Sequence, residues 1–224
     1  MLDRQQSVAS VVLDHSECAA VFQQHRIDFC CGGQKSVEKA ASDKGVDVDA
    51  LLGELTRAIA DRRGERPSDP RSLSTAKLLT HIVATHHRYL REALPFVTAL
   101  SEKVGRVHGD HNPKLRELAV AVTVLSDALL RHLDDEERTL FPALISGNLD
   151  VEAERDIFVP MIDEHLAVAR MLERVRAASD DFKQPDWACN SYRTLFAELQ
   201  QLEDDVFKHV HLENNVLRPR FANS

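Results

Sequence analysis

The sequence predicts an all-α protein in which a small helical N-terminal domain is followed by an antiparallel four-helix bundle. Glycine and proline number only eight each among 224 residues, and the three aromatic types make up 5%, a composition that favours helices. In the second part of the chain, apolar residues recur at every third or fourth position over four long segments. The breaks between these segments are short, which is typical of antiparallel helical neighbours.

The N-terminal part, residues 1–63, contains shorter helical segments. We predict helices over Glu17–Gln24, Ser36–Lys44 and Asp49–Asp61, with Ser36 and Asp49 as N-caps. The motif Cys-Cys-Gly-Gly (30–33) lies between the first two helices. The following stretch, GERPSDPRS (64–72), concentrates glycine, proline, serine and charge without periodicity, which predicts a linker over residues 64–73.

The bundle is predicted over residues 74–224. Its four amphipathic segments run from Thr75 to Val104, Lys114 to Leu140, Asp150 to Ala178, and Asp186 to Leu212. The stretches GDHNP (109–113), ISGN (145–148) and KQP (183–185) separate them. Such short connections allow each segment to pack against the next in the opposite direction.

Charge and composition exclude several classes of function. The formal net charge of -8 leaves no basic field for a nucleic-acid backbone or an anionic membrane. No apolar run approaches the ~18 residues of a membrane span, and the N-terminus has neither the basic end nor the apolar stretch of a signal peptide. Four cysteines are too few for a secreted disulfide framework. We therefore predict a cytoplasmic protein.

Ionisable residues interrupt the apolar stripes of the four bundle segments. The second and fourth segments each carry a His-x-x-x-Glu pair, whose members lie one turn apart on the same face. The first and third segments each carry one histidine where an aliphatic residue belongs. In chain order, the six residues are His87, His132, Glu136, His165, His209 and Glu213.

The spacing of these residues indicates two copies of one helical hairpin. His87 and His132 are 45 residues apart, and His165 and His209 are 44 residues apart. The second histidine of each pair is followed by glutamate at +4 and proline at +10. Two such hairpins related by a pseudo-twofold axis would bring four imidazoles and two carboxylates to one level of the core.

A shared metal centre explains why these groups would be buried together. Burying carboxylates and imidazoles among aliphatic side chains is costly unless a partner compensates. Four nitrogens and two carboxylates suit two first-row ions, with each glutamate able to bridge and each ion keeping open positions. Iron is the first choice, manganese the second, and zinc a third option. The alternative is that these residues bind no metal and that the chain is a helical interaction protein.

Some assignments stay open at this point. His86 adjoins His87 and could take its role after a small helix rotation. Cys18 and Cys189 are interpreted as ordinary small helical residues. The remaining histidines are interpreted as surface groups or as groups outside the ligand shell, namely His15, His25, His81, His108, His111 and His211.

Several motifs together resemble one known family. They are DFCCGG (28–33), REALP (91–95), RHLDDEERTLFP (131–142), DEH (163–165) and HVHLENNVLRP (209–219). In this combination the chain is similar to the "repair of iron centres" proteins, which pair a small N-terminal domain with a hemerythrin-like di-iron bundle. The family's pattern of iron ligands falls on the same six residues that the periodicity selects.

The resemblance implies a stress-response protein with two non-haem iron ions, bridged by carboxylates and by an oxo group when oxidised. It implies binding of nitric oxide or another diatomic gas, with reduction of nitric oxide as an open question, and repair of damaged iron-sulfur proteins, with iron donation as one route. Cys30 and Cys31 would act in a redox, nitrosation or metal-transfer step, and Glu164 in a proton relay or in orienting a ligand. The oligomeric state is left open, with a homodimer as one option.

The leading alternative is a hemerythrin-like module that binds or senses oxygen. Oxygen carriers of this fold have a second histidine one turn beyond the first on the third helix, whereas here that position is Ala169. Fewer imidazoles leave more exchangeable positions, which favours nitric oxide binding or iron release. A ferritin-like oxidase fits less well, because that architecture uses Glu-x-x-His pairs.

Overall fold

The computed structural model describes residues 2–63, 69–146 and 151–221, and its regular elements are helical. Within these ranges the only β-type pairing is an isolated antiparallel bridge between Ser7 and Ser36. The predicted all-α class is therefore confirmed. None of the helices in the described ranges is both long enough and apolar enough to cross a membrane.

The chain divides into two compact units, Met1–Ser74 with Phe207–Ser224, and Thr75–Val206. The division falls inside the last long helix, so the end of that helix is grouped with the N-terminal residues. The predicted linker over residues 64–73 stays a prediction, and residues 64–68 lie outside the described part of the chain.

Residues 2–63 of the first unit form the short helices α1 (Val8–Asp14), α2 (Cys18–Gln24), α3 (Val37–Lys44) and α4 (Val48–Asp61). Helix α1 was not predicted; its N-cap is Ser7, whose side chain accepts a hydrogen bond from the Ser10 amide. Ser36 caps α3 as predicted, since its side chain accepts a hydrogen bond from the Lys39 amide.

The predicted N-cap of α4 is wrong. The cap is Asp47, whose carboxylate accepts a hydrogen bond from the Ala50 amide at 2.8 Å. Asp49 instead lies inside the first turn of the helix, where its negative charge is favourable beside the exposed amide groups.

The bundle is built from α5 (Thr75–Ile82), α6 (Arg88–His108), α7 (Lys114–Asp135), α8 (Phe141–Ser146), α9 (Val151–Ala178) and α10 (Asn190–Leu212). The first segment runs four residues further than predicted, and the fourth begins at Asn190 rather than Asp186. The predicted start of the third segment, Asp150, and part of the ISGN break lie outside the described residues.

In the part of the chain that the structure describes, three π-helical turns interrupt the long helices, and the sequence did not predict them. They cover Val83–His87, Glu136–Leu140 and Glu213–Leu217. The second turn is closed by the Phe141 amide bonding to the Glu136 carbonyl, and the third by the Arg218 amide bonding to the Glu213 carbonyl. In both cases the next residue is proline, which has no amide hydrogen to continue the α-helical ladder. Such π-turns are frequent at functional sites.

Candidate metal centre

The six predicted ligands are all buried. Each exposes no more than 4% of its surface: His87, His132, Glu136, His165, His209 and Glu213. Ionisable residues are rarely buried to this extent unless a partner compensates for the lost hydration. Three of the six lie in or at the edge of a π-turn, namely His87, Glu136 and Glu213.

Glu136 lies between two histidines of the bundle. Its Oε1 is 3.3 Å from His132 Nε2, and its Oε2 is 3.3 Å from His87 Nε2. His165 Nε2 lies 3.3 Å from His132 Nε2, and the two rings meet edge to face. One carboxylate and three imidazole rings from three different helices therefore face one another.

The second His-x-x-x-Glu pair has the same local geometry. His209, in the last turn of α10, and Glu213, the first residue of the following π-turn, are fully buried. Their Nε2 and Oε1 atoms are 2.9 Å apart. One helical turn therefore presents an imidazole and a carboxylate side by side, as the sequence pattern predicts.

These residues form two groups that could each hold a metal ion. One group is His87, Glu136, His209 and Glu213, and the other is His132, Glu136, His165 and Glu213. In each group the ligand atoms lie within 4.8 Å of one another. Both glutamates belong to both groups, and each group adds two histidines of its own. Imidazole nitrogens and carboxylate oxygens are ligands that first-row divalent ions accept, so the donor set fits such ions.

Two carboxylates that belong to neither group form hydrogen bonds with the Nδ1 atoms of His132 and His87. Glu164 Oε2 lies 2.8 Å from His132 Nδ1, and the hydrogen bond with His132 lowers the pKa of Glu164 although partial burial opposes it. Glu137 Oε1 lies 2.9 Å from His87 Nδ1 and accepts a bond from Arg91 at 3.0 Å. A carboxylate in this position fixes the orientation of a metal-binding imidazole.

Glu137 was missed by the sequence analysis. Burial would raise the pKa of Glu137, but its bonds with His87 and Arg91 outweigh that effect and lower it. The REALP motif contains Arg91, and nothing in the sequence links it to Glu137, 46 positions away.

His86 and His87 have different neighbours. His87 belongs to one of the two groups, whereas His86 directs Nδ1 to Asp205 Oδ1 at 2.9 Å. His86 is nevertheless buried, with 6% of its surface exposed. It therefore packs inside the bundle beside the centre and pairs with a carboxylate of α10.

The Cys-Cys-Gly-Gly loop is organised by Asp28. Its carboxylate accepts hydrogen bonds from the backbone amides of Cys30, Cys31 and Gly32 at 2.8 to 2.9 Å. At Gly33 a Cβ atom would lie 2.4 Å from the Phe29 carbonyl oxygen, so the chain passes too closely for any side chain. The loop is thus a rigid turn that presents two adjacent thiols.

The two thiols differ in their surroundings. Their Sγ atoms are 3.7 Å apart, with Cys30 buried and Cys31 half-exposed. The hydrogen bond to Cys31, burial and the charge of Asp28 raise the pKa of Cys30. Asp28, Cys30 and Cys31 form a third group with ligand atoms within 4.8 Å of one another.

Residues at the end of α10 and just beyond it pack against this loop. Asn215 Nδ2 donates to the Cys30 carbonyl at 3.0 Å, and His211 Nδ1 lies 3.0 Å from the Phe29 carbonyl oxygen. His211 exposes only 4% of its surface, so the interpretation that it lies at the surface is wrong. It is a core residue beneath the loop, where burial lowers its pKa to about 4.

A helical bundle whose buried histidines and glutamates form two linked groups defines a hemerythrin-like cation-binding protein. Consistent with this, the Hemerythrin HHE cation binding domain matches residues 78–221, and a domain described as of unknown function, DUF542, matches residues 4–59. The iron-sulfur cluster repair protein YtfE of Yersinia pseudotuberculosis serotype IB (strain PB1/+) is 34% identical over 217 residues, covering 97% of this chain and 96% of that protein. The YtfE protein of Yersinia pestis (strain Pestoides F) is 33% identical over the same shares. The chain belongs to this family of iron-sulfur cluster repair proteins.

Proposed function

We propose that this protein holds two iron ions in its bundle, binds nitric oxide there, and helps to repair iron-sulfur clusters damaged by nitrosative or oxidative stress. The observation that carries the proposal is the pair of four-residue groups that share both Glu136 and Glu213. Two ions with two common carboxylates would lie close together, and each would have two histidines of its own.

The ligands assigned to the first iron are His87 and His209, and those assigned to the second are His132 and His165. Glu136 and Glu213 would bridge the pair. When bound, such a pair supplies electrons and exchangeable coordination positions for a diatomic gas. The residue one turn beyond His165 is Ala169, which offers no ligand atom, so an ion held by the second group would have no ligand from this position.

Glu164 and Glu137 orient the centre in this proposal. Each accepts a hydrogen bond from the Nδ1 atom of a ligand histidine, which leaves Nε2 as the metal-binding nitrogen. The Glu164 side chain is 48% exposed, so it can exchange protons with water while it holds His132. We assign Glu164 the role of orienting His132 and of passing protons between water and this edge of the site.

Iron is also the proposed substrate of repair. The relatives are named for iron-sulfur cluster repair, and damaged clusters need iron to be rebuilt. Cys30 and Cys31 would act in the redox or delivery step, because adjacent thiols and the Asp28 carboxylate form a third potential metal-binding group. Thiolates are suitable temporary ligands for iron.

The first test is iron binding by the ligand variants. We would load the parent, His132→Ala and Glu213→Ala with ferrous iron without oxygen, and measure iron per chain together with helicity by circular dichroism. We expect about two irons in the parent and a clear loss in both variants, with helicity kept. His81→Ala, which removes an exposed histidine of α5, is the matched control. Full iron retention in both ligand variants would reject the assignment.

The second test separates gas binding from repair. Reduced, iron-loaded protein mixed with nitric oxide should give an iron-nitrosyl signal in electron paramagnetic resonance and visible spectra. In a second assay, a cluster enzyme inactivated by nitric oxide should regain activity with the loaded parent and not with His132→Ala. A nitrosyl signal without recovery of the enzyme would retain gas binding and discard the repair role.

A further inference from the structure

A second pair of reactive side chains lies in the bundle, outside the proposed iron centre. His108 Nε2 is 3.2 Å from Cys189 Sγ, which is hydrogen-bonding distance for a thiol and an imidazole. Cys189 is exposed and directly precedes α10, so its interpretation as an ordinary helical residue was wrong. An exposed cysteine in contact with a histidine is a common arrangement for a nucleophilic thiol.

The helix ends place the two groups where charge separation is favourable. His108 is the last residue of α6, and Cys189 occupies the position before the first turn of α10, with its carbonyl bonded to the Arg193 amide. Positive charge is stabilised at a helix C-terminus and negative charge at an N-terminus. Transfer of the thiol proton to the imidazole therefore puts each charge at the helix end that stabilises it.

The surface around the thiol carries positive charge and aromatic area. Lys103 Nζ lies 3.4 Å from Ser191 Oγ, and the Arg193 guanidinium donates to the Ala188 carbonyl at 2.9 Å. Trp187 is 42% exposed and packs edge to face on His111, with ring centroids 4.4 Å apart. Such a surface suits a small organic molecule with carboxylates and a peptide-like body.

We propose that Cys189 and His108 form a thiol-disulfide exchange site that accepts one half of a small, anionic disulfide of the glutathione class. The proposal is independent of the iron centre, since it uses none of the residues assigned to it. The product is a mixed disulfide at Cys189, a reversible modification of the surface of the bundle.

The exchange needs no reactant beyond the disulfide. With its proton on Nδ1, His108 accepts the Cys189 proton at Nε2. The sulfur then attacks one sulfur of the disulfide, so that a new S–S bond forms as the old one breaks. The other half leaves as a thiolate and takes the proton back from His108. One thiol and one disulfide are consumed, and one of each is produced.

The other cysteines are less suited to this reaction. Burial raises the pKa of Cys18 to about 12, and Cys30 is also buried with a raised pKa. Cys31 is half-exposed and is therefore the one realistic competitor among the four cysteines. The Cys31 thiol accepts a hydrogen bond from the Asn214 side-chain amide at 3.7 Å, whereas the Cys189 thiol contacts an imidazole.

The contribution of His108 can be stated as a rate. A general base positioned beside a reacting group speeds the proton-transfer step by about a hundredfold or more. A stabilised thiolate is a weaker nucleophile, which offsets part of that gain and leaves about tenfold. We expect His108→Gln to slow mixed-disulfide formation at Cys189 by about tenfold.

The test is to incubate the full chain with oxidised glutathione at pH 7 and to follow modification by intact mass and peptide mapping. We expect one glutathionyl group, located on Cys189, and none at that position in Cys189→Ser. His81→Gln is the matched control, since it removes an exposed imidazole of α5 that has no part in the proposed site, and it should react like the parent.

A second measurement guards against a folding defect in His108→Gln. Cys189 of the folded parent should react about tenfold faster than Cys189 of the parent unfolded in urea, where the imidazole no longer lies beside the thiol. Equal rates in these two states, equal rates in the parent and His108→Gln, or Cys31 as the main modified residue would each overturn the proposal.

Discussion

Replacing Glu137 by glutamine tests how the protein supports its metal ligands. Glu137 Oε1 is 2.9 Å from His87 Nδ1, and the side chain is 32% exposed. Loss of such an orienting carboxylate typically costs 10–100-fold in metal affinity. Glutamine keeps one acceptor oxygen, and the site is partly hydrated, so we expect the lower end of that range. The predicted loss is about tenfold, or about 1.4 kcal/mol.

The assay is competition for ferrous iron between the protein and a coloured chelator, without oxygen. Glu102→Gln is the control, because it removes the same charge from an exposed position on α6. If Glu137→Gln and Glu102→Gln both bind iron as tightly as the parent, the bond to His87 does not tune the centre and the reasoning fails.

Three further predictions concern stability and titration. Arg176→Met should lower the free energy of unfolding, measured in urea, by about 3 kcal/mol. Glu203 is 2% exposed, and the substitution removes the Arg176 guanidinium that pairs with its carboxylate. A change below about 1 kcal/mol would contradict this. Asp47→Ala should cost about 1 kcal/mol through loss of the α4 cap, and no change would refute the cap. Hydrogen bonds, first that from Lys35, lower the pKa of Asp43 to about 2. Its contribution to stability is therefore complete above about pH 4 and is lost as the pH falls towards 2, and an NMR titration midpoint near 4 would contradict it.

The residues of the candidate centre could be predicted because their signal is local. A His-x-x-x-Glu pair on an apolar stripe fixes two side chains on one helix face, whatever packs against it. The repeat of 44 and 45 residues then relates two such pairs through equivalent hairpins. The structure brings all six residues into the two groups, and their role as iron ligands stays a proposal.

The features that were missed depend on contacts between distant parts of the chain. Glu137 reaches His87 across 50 positions, and Asp205 reaches His86 across 119. Either acid, taken alone, is indistinguishable from a solvated helix residue. His211 was interpreted as a surface group or a group outside the ligand shell for the same reason, since the carbonyl that it contacts belongs to Phe29, which lies 182 positions away.

The π-turns were missed for a different reason. The apolar period of a helix changes little when one residue is inserted into its hydrogen-bond ladder, so the segment Lys114–Leu140 was predicted as continuous α-helix. The proline that follows each of the last two π-turns is a usable signal. It was noted as part of the repeat, and its effect on the preceding amide was not used.

The proposed iron centre is tested most directly by a crystal structure of the iron-loaded protein, with anomalous diffraction measured above and below the iron absorption edge. We expect two iron peaks per chain, one beside His87 and His209 and the other beside His132 and His165. Both peaks should lie within bonding distance of Glu136 and Glu213. A single peak, or peaks bound by other residues, would contradict the shared-carboxylate centre on which the proposed function rests.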